Sequence, residues 1–328
     1  MKKYVDLHCH PFLEYFTNPD EVIKNAQNAG VHKLFLVGTD LKNCKEAIEL
    51  ATRHENVYSV IGIHPCDAWN LELIDELEKM ITEDVVGIGE VGLDYHYDDS
   101  PSKEMQIKCF EKQIELAIKY NIPVIVHSRD AHEDTYKIIK KWKELHPNLN
   151  FIMHSYSSGM EYLEKFSQLN VYFSFSGVVT FKNAKDTQEA AKNVSLDLLF
   201  CETDTPYLTP APHRGERNLP EYVIHTTDFI ANLKNISVDS LLDHINNNVK
   251  KVFTKIKNEL SSNILSRIMT FCIDRQFSPD IYINKNGFES YIKRVNNFNH
   301  KVAELGNSNM VIHIARITNR KVLPNKSA

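Results

Sequence analysis

Eight short runs rich in Val, Ile and Phe alternate with amphipathic stretches from residue 4 to about residue 204. We predict strands over 4–10, 33–38, 57–65, 85–92, 122–128, 150–155, 171–177 and 198–204. The runs are too apolar for a sheet with one solvated face, so the strands should be covered on both sides. Eight such strands alternating with helices are typical of a TIM-type (β/α)8 barrel. An open doubly wound sheet would also alternate, but no G-x-G-x-x-G motif follows the first run.

Capping signals predict where several of the intervening helices begin. Each signal combines a side chain that can accept hydrogen bonds from a helix N-terminus with a first-turn proline or a nearby glutamate. Such signals occur at Asn18-Pro19-Asp20-Glu21, at Ser100-Pro101 and at Asp130 with Glu133. We therefore expect the first, fourth and fifth helices to begin at these points.

The distribution of charge divides the chain into two parts. The whole chain has a formal net charge of −5, but residues 261–328 hold ten basic and four acidic residues. Residues 1–260 therefore carry 28 basic and 39 acidic residues. The later part also contains two β-like runs around Asn286-Gly287, a dipeptide typical of a hairpin turn. We predict a barrel over 1–260 and a small basic C-terminal extension over 261–328, which is too apolar for a disordered linker.

Composition narrows the class of function and the compartment. The net negative charge argues against a surface that wraps broadly around nucleic acid or anionic membrane. The N-terminal lysines precede no apolar signal region, and no run approaches the ~20 apolar residues of a membrane span. The six cysteines are scattered without a CxxC pair, so we expect them to be reduced. These features predict a cytoplasmic protein with no membrane association and no obligate protein partner.

Ionisable side chains stand at or near the end of most predicted strands. They are Asp6, His8 and His10 on the first strand, His64 on the third, Glu90 on the fourth, His127 on the fifth, His154 on the sixth and Asp204 on the eighth. The active site of a (β/α)8 barrel forms at the carboxyl ends of its strands. These side chains should therefore converge on one mouth of the barrel.

The first strand supplies half of a predicted metal site, because imidazoles and carboxylates brought together bind divalent ions. His8 and His10 are two residues apart on a strand, so both can face inward and hold one ion. Asp204 could complete that site. Asp6 is expected to orient a histidine rather than to bind metal. Cys9 alternates away from the histidines and is expected to be a core thiol.

Later strands could supply a second ion. The two carboxylate oxygens of Glu90 could bridge from the first ion to a second one held by His127 and His154. Two ions about 3.5–4 Å apart can clamp the attacking and leaving oxygens of a displacement. His64 lies in the same mouth and is expected to form a hydrogen bond.

Seven motifs closely resemble those of the TatD-like metal-dependent deoxyribonucleases, which belong to the amidohydrolase superfamily. The motifs are VDLHCH, GIHP, GIGEVGLDY, PVIVHSRDA, HSYSSG, ETDTPYLTP and PHRGERNLP, within a resemblance that covers residues 1–257. The sixth-strand motif departs from the usual H-C-F-S-G of the family, with Tyr156 and an additional serine, but it keeps His154 and Gly159. The pocket wall could differ there, while metal binding is retained.

The resemblance implies the same ligand assignment as the strand ends. One metal would be held by His8, His10 and Asp204, the other by His127 and His154, with Glu90 as the bridge. Other hydrolases of the superfamily often use a carbamylated lysine as the bridge on strand four. Glu90 at that position favours the nuclease-like branch. The implied activity is DNA cleavage, specifically 3′-to-5′ removal of nucleotides from single-stranded ends.

The expected reaction is metal-assisted phosphodiester hydrolysis, in which two ions hold the phosphate and a metal-bound hydroxide attacks phosphorus. Asp204 would accept the proton of that water, and His64 would hydrogen-bond the phosphate or the leaving oxygen. Arg129 and Arg214 are predicted substrate contacts because arginine forks suit phosphate oxygens. A structural ion pair of Arg129 with a nearby acid is the alternative. Arg217 is a weaker candidate.

The identity of the two ions is left open among Mg, Mn and Zn. Four imidazoles suit Zn or Mn better than Mg, which prefers oxygen ligands, whereas the family is usually described as Mg-dependent. Two other functions remain open. The same metals could hydrolyse an ester or amide bond in a nucleic-acid conjugate, or the barrel could be a non-catalytic metal-bound protein that binds nucleic acid.

Overall fold

The computed structural model describes residues 2–256, which contain eight parallel strands. The strands are Tyr4–Cys9 (β1), Val31–Val37 (β2), Val57–Ile61 (β3), Val85–Asp94 (β4), Val124–Arg129 (β5), Phe151–Met153 (β6), Tyr172–Phe175 (β7) and Leu199–Cys201 (β8). Neighbours pair in chain order from β1 to β8. A parallel bridge between Cys9 and Thr205 then joins the end of β8 to β1. The predicted (β/α)8 barrel is thereby confirmed.

Nine α-helices within residues 2–256 alternate with and follow these strands. They are Pro19–Ala29 (α1), Leu41–Arg53 (α2), Glu72–Lys79 (α3), Lys103–Tyr120 (α4), His132–Leu145 (α5), Gly159–Ser167 (α6), Lys185–Asn193 (α7), Val223–Leu233 (α8) and Val238–Val252 (α9). Within this range, no helix combines the length and the apolar content that a membrane span requires. The predicted C-terminal extension, including the hairpin at Asn286-Gly287, lies outside the described residues.

The capping predictions are right for the first helix and wrong for two others. Asn18 accepts a hydrogen bond from the backbone of Glu21, and a proline opens α1 as expected. The cap of α4 is Ser102, two residues beyond the predicted Ser100. In α5 the cap position is Ala131, without a side-chain hydrogen bond. Asp130 instead pairs with a histidine of a neighbouring loop, so its carboxylate is not used for capping.

The strands are covered on both faces, as their apolar sequences predicted. All ten residues of β4 and all six of β1 are buried. Large aromatic side chains fill the space around the sheet, among them Phe35, Phe110, Phe151, Phe173 and Phe200. Any ionisable group on these strands therefore stands in a poorly solvated environment, where its partners determine its charge.

A bulge and a glycine let β4 approach β5 closely at the mouth. The pairing register shifts between Ile88 and Val91, so Glu90 lies at the irregularity. Gly92 has a φ of +144°, and a Cβ there would come within 2.0 Å of the carbonyl oxygen of His127. Only glycine suits both conditions. Beyond it the strand continues to Asp94, two residues past its predicted end.

Candidate metal centre

The carboxylate of Glu90 lies between two pairs of histidines at the mouth of the barrel. Its Oε2 atom is 3.3 Å from Nε2 of His8 and 3.8 Å from Nε2 of His10. Its Oε1 atom is 2.7 Å from Nδ1 of His127 and 3.0 Å from Nε2 of His154. Each oxygen thus serves one pair of imidazoles, which is the arrangement that a bridging carboxylate requires.

Asp204 joins the histidines of β1 to form the first group of potential ligands. The Nε2 atoms of His8 and His10 are 3.1 Å apart, and Oδ1 of Asp204 is 3.4 Å from Nε2 of His10. The backbone amide of Asp204 donates to the carbonyl of His8. Asp204 also adopts a left-handed conformation with a φ of 58°, uncommon for a residue other than glycine and often seen at functional sites. The structure therefore brings the three predicted residues of this site together.

The tautomer of His10 is set by a backbone carbonyl. Its Nδ1 atom lies 2.6 Å from the oxygen of Val37, which can only accept a hydrogen bond. The Nδ1 atom must therefore carry the proton, and the lone pair of Nε2 faces the other ligands of the group. This is how a metal-binding imidazole is normally oriented.

Carboxylates orient the two histidines of the second group. Nδ1 of His154 is 3.0 Å from Oε1 of Glu202, and Nε2 of His127 is 2.9 Å from Oδ2 of Asp94. Each outer carboxylate accepts a hydrogen bond from its ring, so the opposite ring nitrogen can direct a lone pair toward Glu90. Two lone pairs converging on a carboxylate need a positive charge between them, and these residues therefore fit a divalent ion.

In the metal-free protein, protons supply that positive charge. Burial alone would raise the pKa of Glu90, but the surrounding imidazoles outweigh it and hold that pKa well below its usual value. Burial would likewise lower the pKa of His127 and His154. The carboxylates of Glu90, Asp94 and Glu202 outweigh burial and raise both of these pKa values. A metal ion entering the second group must therefore displace protons.

We expect metal binding to release protons and to weaken as the pH falls. Because the pKa values of His127 and His154 are raised, both rings keep their protons to a higher pH than an ordinary histidine. Protons therefore compete with the metal ion for these ring nitrogens, and they compete more strongly as the pH falls. Calorimetric titration of chelator-treated protein with Zn²⁺ in buffers of different ionisation enthalpy measures the effect. The observed heat should change with the buffer, and identical heats in all buffers would contradict the assignment.

His64 lies beside the second group but presents a donor rather than a lone pair. Its Nδ1 accepts a hydrogen bond from the backbone amide of Cys66 at 3.1 Å. Burial, followed by the neighbouring His127, lowers the pKa of His64 to about 3, so the ring is neutral. The remaining proton must then be on Nε2, which is 3.6 Å from Oε1 of Glu90. The contact of His64 with a substrate oxygen stays a prediction.

Asp6 is held mainly by Thr203 and contacts a site histidine only through the backbone of that histidine. Its oxygens accept hydrogen bonds from the backbone amide and the hydroxyl of Thr203, at 2.8 and 2.6 Å. Asp6 also accepts a longer hydrogen bond from the backbone amide of His8, at 3.4 Å, so its contact with that histidine is through the main chain. Complete burial raises the pKa of this carboxyl to about 8. Asp6 ties the end of β8 to β1, and in this way it fixes the backbone that carries Asp204.

Asp94 and Glu202 are the site residues that sequence reasoning missed. Asp94 was missed because it lies two residues beyond the predicted end of the fourth strand, and the bulge at Glu90 could not be foreseen. Glu202 was inside the predicted eighth strand, two residues before Asp204 and hence on the same face. That alternation was a usable signal. The partners of Glu202 are His154 and the amide of Ser155, which lie far away in sequence.

We expect Asp94→Asn to weaken metal binding about 10- to 100-fold, the usual cost of losing an outer carboxylate that orients a metal-binding histidine. The amide can still accept from His127, but it no longer stabilises the ring electrostatically. Competition with a fluorescent chelator measures the affinity. Asp130→Asn is the matched control, since Asp130 pairs with His96 in the neighbouring loop outside the centre. An equal loss in both variants would contradict the role of Asp94.

Both predicted substrate arginines are exposed and held by local contacts. Nη1 of Arg129 donates to the hydroxyl of Tyr97 at 2.9 Å, so its structural partner is a phenol rather than the acid considered above. Arg214 donates to the carbonyl of Thr209, and its guanidinium lies 3.6 Å from the centre of the Phe181 ring. Their contact with substrate stays a prediction.

A closed (β/α)8 barrel with imidazoles and carboxylates gathered at the carboxyl ends of its strands is typical of metal-dependent hydrolases. A comparison with known families assigns the chain more narrowly than this class. The sequence model of the TatD related DNase family matches residues 5–254, and the chain belongs to that family. The predicted family is thereby confirmed for the barrel.

Several relatives carry the same coarse description. The chain is 40% identical over 252 residues to the uncharacterized metal-dependent hydrolase YabD of Bacillus subtilis, an alignment covering 76% of this chain and 98% of YabD. It is 35% identical over 254 residues to YcfH of Escherichia coli, described in the same words, covering 76% of this chain and 95% of YcfH. The crystal structure of YjjV, a TatD homologue from Escherichia coli, superposes with a TM-score of 0.69 at 26% identity, covering 76% of this chain and 98% of YjjV.

Proposed function

We propose that this protein hydrolyses phosphodiester bonds of DNA and removes nucleotides from the 3′ ends of single strands, using two divalent ions. The observation that carries the proposal is the position of Glu90, whose two oxygens each face a separate pair of histidines. Two ions bridged in this way suit an in-line displacement at phosphorus. The description of the family as DNases supports DNA as the substrate.

Bound ions would supply Lewis acidity and lower the pKa of a coordinated water. Residues of the chain would transfer the protons, bind the substrate and orient the metal ligands. Asp204 is 9% exposed at the mouth, so its carboxylate can accept the proton of the attacking water and later return one. His64, neutral and carrying its proton on Nε2, can donate a hydrogen bond to a phosphate oxygen or to the leaving oxygen. Asp94 and Glu202 keep the ring nitrogens of His127 and His154 correctly oriented.

Two exposed arginines are the proposed phosphate contacts outside the metal centre. Arg129 ends β5, two residues after His127, and Arg214 lies in the long loop after β8. Both guanidinium groups stand on aromatic or phenolic neighbours, which limits their freedom while leaving donors for phosphate. They are the local positive charges that a barrel with an excess of acidic residues needs to receive a nucleic-acid end.

Cleavage of a 5′-labelled single-stranded DNA in the presence of Mg²⁺, Mn²⁺ or Zn²⁺ tests the proposal. We expect a ladder of fragments shortened from the 3′ end, and little cleavage when the 3′-terminal linkages are phosphorothioates. No DNA cleavage with any of the three ions would refute the proposal. Hydrolysis of an aminoacyl ester of the same oligonucleotide would then favour the conjugate hydrolase. Tight binding without turnover of either substrate would favour a binding protein.

A further inference from the structure

Exposed apolar side chains are concentrated around the barrel mouth. Within residues 2–256, the large hydrophobic residues that remain exposed are Leu13, Trp69, Leu71, Tyr97, Leu145 and Tyr207. All except Leu145 lie in loops that connect the carboxyl end of a strand to the following helix. These loops surround the metal centre in this fold. An apolar rim around a charged centre suits a ligand that carries both charged and apolar surface.

Tyr207 stands beside the first group of ligands. It follows Asp204 by three residues and remains 49% exposed. Its hydroxyl donates to the hydroxyl of Tyr15 at 2.9 Å, and the two rings meet edge to face with centres 5.7 Å apart. Tyr15 packs against the core, and its carbonyl accepts a hydrogen bond from Arg217. The polar end of Tyr207 is therefore anchored, while about half of the residue faces solvent.

Tyr97 stands in the same relation to the second group. It follows Asp94, the partner of His127, by three residues and is also 49% exposed. Its hydroxyl accepts the hydrogen bond from Arg129, and His96 meets its ring edge to face at 5.0 Å. The side chain of His96 is itself fixed by Asp130 at 2.9 Å. The guanidinium of Arg129 also lies over this ring, 5.1 Å from its centre, and about half of the residue remains exposed.

The two tyrosines lie on opposite sides of the mouth. Tyr207 and Tyr15 belong to the loops that follow β8 and β1, which are neighbours where the barrel closes. Tyr97 belongs to the loop that follows β4 and Arg129 ends β5, half-way around the eight-stranded sheet. The histidines and carboxylates of the metal centre stand between these two sides. A chain of nucleotides whose phosphate reached the centre would thus have one aromatic ring on each side.

We infer that Tyr97 and Tyr207 are stacking platforms for the two nucleobases that flank the scissile phosphate of a single-stranded nucleic acid. Aromatic stacking suits this role because every base offers a π-face, so binding does not depend on sequence. The inference rests on the proposed phosphodiester hydrolysis and names how its substrate is held. It also predicts preference for unpaired ends, since bases inside a duplex stack on each other and are not free to contact both rings.

Binding of a fluorescent hexathymidylate tests the platforms without using turnover. The oligonucleotide carries phosphorothioate 3′ linkages, and a gel verifies that it stays intact in Mg²⁺. Fluorescence anisotropy should show that Tyr97→Ala and Tyr207→Ala each weaken binding about tenfold, within the range for removing one aromatic–base stack. Tyr97→Phe and Tyr207→Phe keep the ring and should bind within about threefold of the wild type. Leu145→Ala, which removes an exposed apolar side chain at the far end of α5, is the control.

An oligonucleotide with abasic sites at its two 3′-terminal positions identifies the contact. The wild type should bind it more weakly, and the two alanine variants should lose no further affinity, because the stacking partner is already absent. Alanine variants that bind hexathymidylate as tightly as Leu145→Ala, or lose equal affinity for both oligonucleotides, would overturn the inference. If the wild type still shortens DNA in that case, the proposed function stands and only the platforms are refuted. Ring-dependent binding without cleavage would support the platforms and refute the nuclease.

Discussion

The variant Glu90→Gln should lose at least about 10³-fold in kcat/KM on single-stranded DNA. A neutral amide has one oxygen and one NH₂ group, so it cannot join two positive ions, and its NH₂ group would face an imidazole lone pair or a metal. Ions in such a clamp stabilise the transition state by several kcal/mol, and each 1.36 kcal/mol corresponds to about a tenfold change in rate. Initial rates at subsaturating substrate, with the metal content measured on the same samples, provide the result.

Glu83→Gln is the matched control for this variant. Glu83 is exposed at the opposite end of the same strand, just before β4 begins. Its replacement should leave both the rate and the metal content unchanged. A Glu90→Gln enzyme that retained more than about a tenth of the wild-type rate would contradict the bridging role.

The variant Asp204→Asn should reduce kcat by about 10² to 10⁴-fold, the usual contribution of a positioned proton acceptor. The amide cannot take the proton of the attacking water. It also offers a weaker ligand beside His8 and His10, although the second group with His127 and His154 is untouched. We therefore expect the variant to keep at least one ion per chain while losing most of its turnover. Single-turnover kinetics combined with a count of bound metal separates the two effects.

Asp197→Asn controls for the general effect of removing a carboxylate near β8. Asp197 is exposed, and it pairs with Lys251 at 3.2 Å far from the mouth. This surface pair contributes little to stability, so activity should stay within about twofold of the wild type. A rate for Asp204→Asn similar to that of the control would show that another group accepts the proton.

The parts of this molecule governed by local periodicity could be predicted from the sequence. Continuous apolar runs with turn residues between them predict buried strands, and eight of them with intervening helices leave few alternatives to a barrel. The same topology brings strand ends together, which is why His8, Glu90, His127 and Asp204 were expected to meet. Two-residue alternation predicted correctly that His8 and His10 stand side by side.

Features that depend on distant contacts could not be predicted in this way. The anchoring of Tyr207 joins residues 192 positions apart, and that of Tyr97 spans 32. Asp6 was expected to orient a histidine, but its shortest hydrogen bonds come from Thr203, which lies 197 positions away in the sequence. The cap of α4 is Ser102 rather than the predicted Ser100, because the hydroxyl of Ser102 accepts the hydrogen bond from the backbone amide of Met105. Such choices between neighbouring candidates are settled by tertiary packing.

Counting the metal ions per chain tests the central claim most directly. Chelator-treated protein reloaded with Zn²⁺ or Mn²⁺ and transferred to native mass spectrometry should carry two ions per wild-type chain. The variant His127→Ala, which loses a ligand of the second group only, should carry one under the same conditions. A wild-type chain that binds one ion or none after reloading would contradict a centre in which Glu90 bridges two metals.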